Sequence, residues 1–180
     1  MSIFSDLCVG FDTWRTRYFD NQHESVRLTL RIAEGFRQHV GAPKTFKNAD
    51  GNEKRYVVLC KATDIGDGKV RHEETTSPYD VLAMWDDGFY HFGVGLVVEV
   101  SSNTWPKQLF PIPMYFIIED QQCHMHVTNR HDGEFSFPID DLSNCGHMYD
   151  YMASILTQIF DTKPWAFAVS KKPIGFVPIK

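Results

Sequence analysis

The two histidines of the segment His124-Met125-His126 are the residues whose spacing most directly suggests chemistry. In a β-strand alternate side chains point to the same face, so the two imidazoles lie side by side, roughly 6.6 Å apart. That separation suits two ligands of one divalent metal ion, and Glu119, a few residues earlier, is the candidate third ligand. A metal-dependent, hydrolase-like enzyme centred on these residues is therefore one interpretation of the sequence.

Whether a third ligand is within reach decides between a metal site and histidines that bind no metal. In the register that we expect for the sheet, His91 lies two strands from the pair, at roughly 12 Å, and Glu119 lies diagonal to His124 at ~7–8 Å. Protein metal sites normally use at least three protein ligands. We therefore expect no cofactor and two histidines that are exposed or packed on aromatic rings, with a divalent metal as the alternative.

The cysteines and the known catalytic motifs do not supply a second active site. The four cysteines are widely spaced, at Cys8, Cys60, Cys123 and Cys145, and we expect reduced, buried thiols. Cys145 falls on the apolar stripe of a C-terminal helix, so the sheet would separate its thiol from the histidines. The sequence has no phosphate-binding loop and no nucleophile elbow. Whether the chain is an enzyme stays open on these grounds.

The charge balance and the N-terminus restrict the expected partners. The 180 residues hold 18 Lys and Arg against 23 Asp and Glu, a formal net charge of −5 with histidine neutral. Nucleic acids and anionic membrane surfaces bind clustered basic residues, which this chain does not offer. The N-terminus does not resemble a secretory leader, and no apolar run approaches a membrane span. We expect a cytoplasmic protein that binds neither nucleic acid nor membranes.

Strict alternation of apolar residues predicts an antiparallel sheet in the centre of the chain. Four segments in succession, 89–100, 110–119, 122–128 and 134–139, carry apolar residues at every second position. This period of two puts one face of each strand on a core and leaves the other face half polar. Four such strands in a row predict a meander.

Helical periodicity brackets this sheet on both sides. The N-terminal ~40 residues predict a first helix, a break at Asn21 with a cap at Ser25, and a second helix. The apolar stripe of the first helix comprises Phe4, Leu7, Cys8, Phe11, Trp14 and Tyr18. A further helix is expected over 143–161. The sequence thus predicts a single α+β domain over residues 1–180, an antiparallel β-meander with the N- and C-terminal helices packed on one face.

The other segments predict connections and an edge strand. Residues 45–47 and 55–62 flank the turn sequence Ala49-Asp50-Gly51-Asn52 and predict a hairpin. Residues 63–80 hold glycine, proline and many charges, and predict an irregular surface loop. Alternation at 165–169, followed by prolines, predicts an edge strand near the C-terminus.

Matching the apolar faces gives a register for the meander. A two-residue turn at Asp120-Gln121 produces the pairs Glu119–Gln122, Ile117–His124, Tyr115–His126, Ile118–Cys123 and Phe116–Met125. A three-residue loop with Gly133 in the left-handed conformation pairs Val127 with Phe137. The first central strand is joined by a longer loop, and we expect Gly95 beside Tyr115 and Gly93 beside Ile117.

Two strand glycines define the candidate binding site on the outer face. In this register Gly93 and Gly95 lie at the bottom of a shallow notch. The larger side chains of Tyr115, His124 and His126 form its walls. Glycine in a strand marks a place where something approaches the backbone closely. The alternative is that Tyr115 lies over a glycine, or that the chain's own tail or a neighbouring chain packs there.

The outer face is the basis of the expected function. A half-polar sheet face that carries Tyr, Ile and His suits protein docking. Trp105 is a further candidate anchor, because Trp is typical of interface hot spots; the alternative is a lid over the end of the core. We expect a non-catalytic binding domain whose partner is a protein or a second copy of the chain. A small-molecule ligand is also compatible, and no residue identifies the partner.

Overall fold

The computed structural model of the chain describes residues 2–67, 69–101, 104, 106–128, 131–161 and 177–178. It has an α+β architecture, with an N-terminal helix, an antiparallel sheet, a second small sheet and a C-terminal helix, as the sequence predicts. The predicted strand at 165–169 and the candidate anchor Trp105 lie outside the described residues. Of the described helices, none combines the length and the apolar character that crossing a membrane requires.

The strands form two sheets within the described residues. A small sheet pairs β1 (Thr45–Lys47) with β2 (Glu53–Arg55). The eight strands of the main sheet are β3 (Val57–Asp64), β4 (Val70–Glu74), β5 (Ala83–Met84), β6 (Tyr90–Glu99), β7 (Lys107–Glu119), β8 (Gln122–Val127), β9 (Glu134–Pro138) and β10 (Val177–Pro178). Their order is β4-β3-β6-β7-β8-β9, with β5 beside β6 and β10 beside β7. Strands β6 to β9 form the predicted meander.

In the part of the chain that the structure describes, three α-helices accompany the sheets: α1 (Ile3–His39), α2 (Pro78–Val81) and α3 (Gly146–Asp161). The C-terminal half of α1 and the apolar stripe of α3 share one core with the inner face of the sheet. Fully buried side chains there include Ile32, Phe36, Phe92, Ile112, Phe116, Met125 and Met152. Arg31 of α1 also donates hydrogen bonds to the carbonyl oxygens of Ile139 and Asp140, which tie the helix to the end of β9.

The predicted break at Asn21 and Ser25 does not occur, because α1 is one helix of 37 residues. The Asn21 side chain instead accepts hydrogen bonds from the hydroxyls of Ser25 and Tyr90, which fix the helix to β6. Only the part of α1 beyond Asn21 packs on the core. The apolar stripe predicted for the first helix, expected to pack on the sheet, is exposed, as is every position of α1 before Asn21.

The register of β7 and β8 is the predicted one in every pair, from Tyr115–His126 to Glu119–Gln122. Both residues of the two-residue turn, Asp120 and Gln121, have positive φ. This geometry matches the right-handed twist of the flanking strands, so the turn fixes the pairing.

Two other registers were predicted wrongly. On β6 and β7, Gly95 lies opposite Pro111 and Gly93 opposite Pro113, four residues from the expected pairs. On β8 and β9, Phe137 pairs with Cys123 instead of Val127. Gly133 ends a short 3₁₀ turn at His131–Gly133 and is not among the residues with positive φ. Shifts by an even number of residues keep the apolar faces together, so alternation alone cannot separate these registers.

Residues 63–80, expected to be irregular, contain the edge strand β4 and the short helix α2. The predicted hairpin forms only in part: residues 45–47 pair with β2 (Glu53–Arg55), whereas residues 57–62 of its predicted second strand belong to β3 of the main sheet. The β1–β2 hairpin covers one end of the outer sheet face. Beneath it lies a second, smaller apolar cluster of Phe46, Tyr56, Val58, Cys60, Val97 and Leu109. Among the described residues, the outer face is therefore closed at the hairpin end and accessible at the end where β7, β8 and β9 carry Tyr115, His126 and Glu134.

Candidate functional site

The outer face has no notch above Gly93 and Gly95. Both glycines are buried, and the space above them is filled by the chain's own side chains. A Cβ atom on Gly93 would lie 2.8 Å from His72 of β4, and one on Gly95 would lie 2.6 Å from Leu109 of β7. These glycines permit close packing within the chain, so the predicted floor of the site is wrong.

The accessible part of the outer face instead carries a line of stacked rings, which we call the aromatic row: Trp85, His91, Tyr115 and His126. Trp85 stacks on His91 with 3.9 Å between ring centroids and an interplanar angle of 8°. His91 stacks on Tyr115 at 5.2 Å, and Tyr115 stacks on His126 at 4.6 Å and 6°. The row crosses the sheet from the turn after β5 to β8, perpendicular to the strands.

The backbone places these rings in line. His91, Tyr115 and His126 are direct cross-strand neighbours, so their side chains leave the same face at adjacent positions. Trp85 reaches the row through a tight turn in which the N–H groups of Trp85 and Gly88 donate to the carbonyl oxygens of Phe89 and Trp85. Gly88 has a φ of +82°, a conformation that favours glycine. The turn at Asp86-Asp87-Gly88 is thus the element that brings Trp85 over His91.

Phe89 covers one side of the row. Its ring stands edge-on to Tyr115, with centroids 5.4 Å apart, and edge-on to His126 at 5.7 Å. Edge-to-face contact of this kind is a favoured arrangement of aromatic rings. All five rings are partly buried, so they are held in place while part of each remains accessible.

A carboxylate lies beside each histidine of the row. His91 Nε2 lies 2.8 Å from Asp87 Oδ2, and His126 Nδ1 lies 3.8 Å from Glu134 Oε1. Burial raises the pKa of Asp87, but hydrogen bonds from the Phe89 backbone N–H and from His91 outweigh it and leave this pKa below its ordinary value. Burial, followed by the negative charges of Glu134 and Asp87, raises the pKa of Tyr115. Carboxylates therefore lie next to both histidines of the row.

The other predicted residues lie beside the row without joining it. His124 Nδ1 is 3.0 Å from the Ser136 hydroxyl oxygen, and Glu119 pairs with Gln122 at the far end of the hairpin. Over the described ranges, no group of three or more His, Cys, Asp and Glu side chains is placed to hold a metal ion. The structure brings His124 and His126 to one face, as predicted, and gives each its own partner.

A serine–histidine pair such as Ser136–His124 is the starting point of many hydrolases, but here it stands on an open strand surface. Ser136 is exposed to water, and the hydrogen bonds described for His124 include no carboxylate that would orient its ring. Nucleophilic catalysis requires the base to be oriented by a third group and the oxyanion to be bound by directed donors. The pair is therefore better explained as a cross-strand contact of the sheet.

Sequence reasoning found Tyr115 and His126 but missed Trp85, Phe89 and His91 as parts of one site. His91 is on the polar phase of its strand, and its position next to Tyr115 depends on the register that was shifted by four residues. The signal for Trp85 was the turn Asp86-Asp87-Gly88, which reverses the chain immediately before β6.

Three of the four thiols are buried, whereas Cys8 on the N-terminal part of α1 is exposed. Burial raises the pKa of Cys60 and of Cys123 to about 12, and that of Cys145 to about 11. Because the thiolate is the reactive form, we expect only Cys8 to react quickly with Ellman's reagent at pH 8. The other three should react only after denaturant unfolds the chain.

The matched control for this prediction is Cys8→Ser, which should abolish the fast phase and leave the slow one unchanged. Two or more fast equivalents in the native protein would contradict the described burial of the thiols.

The fold and the site together define an α+β protein with an antiparallel sheet that is covered on one face and half open on the other. Comparisons with models of protein families, with curated proteins and with solved structures give no match. The function is therefore inferred from the site itself.

Proposed function

We propose that this chain is a non-catalytic, cytosolic interaction domain that binds a protein segment rich in basic and apolar side chains across the aromatic row. The observation that carries the proposal is the row itself, with four stacked rings on the open part of the sheet. Trp and Tyr are the side chains most often found at the energetic centres of protein interfaces.

The rings of the row are ordered before any partner arrives. Stacking, the edge-on Phe89 and the Asp87–His91 hydrogen bond each restrict the side-chain rotamers. Ordering a flexible side chain on binding costs ~0.5–1.5 kcal/mol, so prior order lowers the cost of association. The row also lies on a sheet surface and not in a deep pocket. That shape favours an extended protein segment over a small ligand, which is bound in concave sites.

The charge around the row selects the chemistry of the partner. Exposed acidic residues lie beside it on the turn before β6 and on β9, namely Asp86, Asp87 and Glu134, and Glu119 and Asp120 lie further away at the far end of the β7–β8 hairpin. Arg and Lys side chains bind favourably over the faces of Trp and Tyr rings and are attracted by such an acidic rim. A basic segment satisfies both features at once.

The histidines and buried thiols, which could act in catalysis, are already held by structural contacts or by burial, and this supports a binding role. His91 is held by Asp87, His126 by Tyr115 and Glu134, and His124 by Ser136. The buried thiols have raised pKa values, which keep them protonated. Four free cysteines also suit a reducing compartment and support the cytosol as the location.

A peptide selection tests the proposal. Random 12-residue peptides displayed on phage are selected on the full chain, and the enriched sequences are then tested against Trp85→Ala/Tyr115→Ala and against Asp87→Asn/Glu134→Gln. We expect enrichment of Arg or Lys together with apolar residues. The first variant should weaken binding at least tenfold because it removes the anchor rings, and the second should weaken it several-fold, more at low salt than at high salt.

Two exposed positions away from the row serve as matched controls. Tyr79→Ala removes an exposed aromatic ring that lies 5.8 Å from His23, and Glu73→Gln removes an exposed carboxylate from β4. Both should leave binding unchanged. Enriched peptides that bind the row variants as well as they bind the unmodified chain would refute the proposal, as would acidic consensus sequences.

A further inference from the structure

The N-terminal part of α1 is an exposed helix with an apolar side, independent of the aromatic row. We call residues 3–20 the arm. Every described side chain in this range is exposed, including large apolar ones: Phe4 is 75% exposed, Leu7 65%, Phe11 61%, Trp14 60% and Tyr18 41%. Soluble proteins seldom leave a continuous apolar surface of this kind uncovered.

Five of the exposed apolar residues form one stripe along the arm. At 100° per residue, Phe4, Leu7, Phe11, Trp14 and Tyr18 fall within an arc of roughly 80°, with the alternating spacing of three and four residues that is typical of paired helices. The rings of Phe11 and Trp14 stack at 6.0 Å, and those of Trp14 and Tyr18 at 5.7 Å. The stripe is therefore a continuous surface and not a set of scattered side chains.

The direction of this stripe relative to the core restricts how it can be covered. The buried residues of the same helix are Ser25, Val26, Leu28, Thr29, Ile32, Ala33 and Phe36. Their mean direction around the helix axis agrees with that of the exposed stripe to within roughly 10°. The body of the protein thus lies on the same side of α1 as the stripe, immediately beyond residue 20.

The charges of the arm favour a second helix over a membrane surface as the occupant. Its polar side carries Asp6, Asp12 and Asp20 against Arg15 and Arg17. Helices that lie on membranes carry an excess of Lys and Arg on the polar face. The spacing of three and four residues is instead the pattern by which two helices interlock.

We propose that the arms of two copies of this chain pair antiparallel, stripe against stripe, to form a dimer. In a parallel pair each body would occupy the space needed by the partner's helix, because body and stripe lie on the same side. In the antiparallel pair, the tip of each arm reaches the base of the other, and the two bodies lie at opposite ends. A two-fold axis then passes near Phe11, at the middle of the arm.

The size of the stripe is sufficient for a specific dimer. A large aromatic side chain buries roughly 150–250 Å², and the stripe offers four of them together with Leu7, while Ile3 lies beside it. Covering them would bury roughly 600–800 Å² of surface on each copy, close to the ~800 Å² per partner of a standard protein interface.

Sedimentation velocity of the full chain at micromolar concentrations tests the dimer. We expect twice the chain mass of 20.8 kDa for the unmodified protein. Phe11→Glu/Trp14→Glu adds two charges to the stripe and should give a monomer. Thr13→Glu/Thr16→Glu adds the same charges on the opposite side of the helix and should remain a dimer. An unmodified chain that is monomeric over this range, or a dimer that survives the stripe variant, would overturn the proposal.

Cysteine cross-linking tests the orientation, in a Cys8→Ser background. Ile3→Cys and Arg17→Cys lie on the same flank of the stripe, near opposite ends of the arm. A short bismaleimide should join one variant to the other in a mixture and should join neither efficiently to itself. Efficient 3–3 or 17–17 cross-links would show a parallel pair and refute the antiparallel arrangement. Flotation of a monomeric chain with phosphatidylglycerol vesicles would identify a membrane as the occupant and would also refute it.

Discussion

The substitution Glu99→Gln should lower the free energy of unfolding by about 3–5 kcal/mol. Glu99 forms an ion pair with Lys107 beneath the β1–β2 hairpin, where Lys107 is only 3% exposed. The Lys107 ammonium also lies 4.8 Å from the centroid of the Phe46 ring and 5.5 Å from that of Tyr56. Removing the carboxylate charge leaves a buried cation without its counter-ion, which is far more costly than losing an exposed pair.

Chemical denaturation of the variant and of two companions measures this effect. Glu73→Gln breaks an exposed pair with Arg71 and should change stability by less than about 1 kcal/mol. The double change Glu99→Gln/Lys107→Met removes both charges and should recover most of the loss, since well-packed apolar replacements of buried ion pairs are often neutral. A single variant as stable as the unmodified chain would show that the Lys107 site is hydrated and not closed by the hairpin.

The second large effect is expected for Gly133→Ala, which should destabilise the chain by about 3 kcal/mol. Gly133 lies where the chain enters β9, and a Cβ atom there would overlap the carbonyl oxygen of Val127 and lie 3.2 Å from Tyr151. A backbone carbonyl cannot move away as a flexible side chain can, so the β8–β9 hairpin must shift. The φ of Gly133 is not positive, so its backbone conformation does not demand glycine. The requirement for glycine comes instead from the close approach of the Val127 carbonyl oxygen.

Gly146→Ala is the matched control, since no atom lies within 4 Å of the added Cβ. It should change stability by less than about 1 kcal/mol, and a small gain is expected because alanine favours the helix that begins there. Thermal unfolding of the two variants side by side gives the comparison. Equal melting temperatures for both would contradict the packing of the β8–β9 turn described above.

The β7–β8 hairpin shows how much of this fold the sequence determines. Two constraints act on it together: the alternation of apolar residues, and a turn of only two residues, which allows a single pairing of the strands that it joins. Together they give one register, and it is the observed one. Tyr115 and His126 were therefore placed side by side from the sequence alone.

Where one of those constraints is missing, several registers are equally compatible with the apolar pattern of the sequence. The connection between β6 and β7 is long, and shifts of two or four residues all keep the apolar faces together. The observed shift of four residues moves His91, and not Gly95, beside Tyr115. This single difference replaces the predicted notch with the aromatic row.

Tertiary context explains the other failures. The arm has the apolar periodicity of a core helix, but no periodicity reveals whether anything packs against it. Strand β4 is an exposed edge strand with charged residues, among them Arg71 and Glu73, and such charges protect sheet edges from pairing with other chains. From the sequence these charges are indistinguishable from those of a surface loop.

The most direct test of the proposed function is the NMR chemical-shift map of the ¹⁵N-labelled chain bound to the strongest selected basic peptide. We expect the largest changes at the indole N–H of Trp85 and at the backbone amides of His91, Tyr115 and His126, with little change in the β1–β2 hairpin. Changes concentrated on the hairpin or on the arm, with the aromatic row unaffected, would contradict the assignment of the row as the binding site.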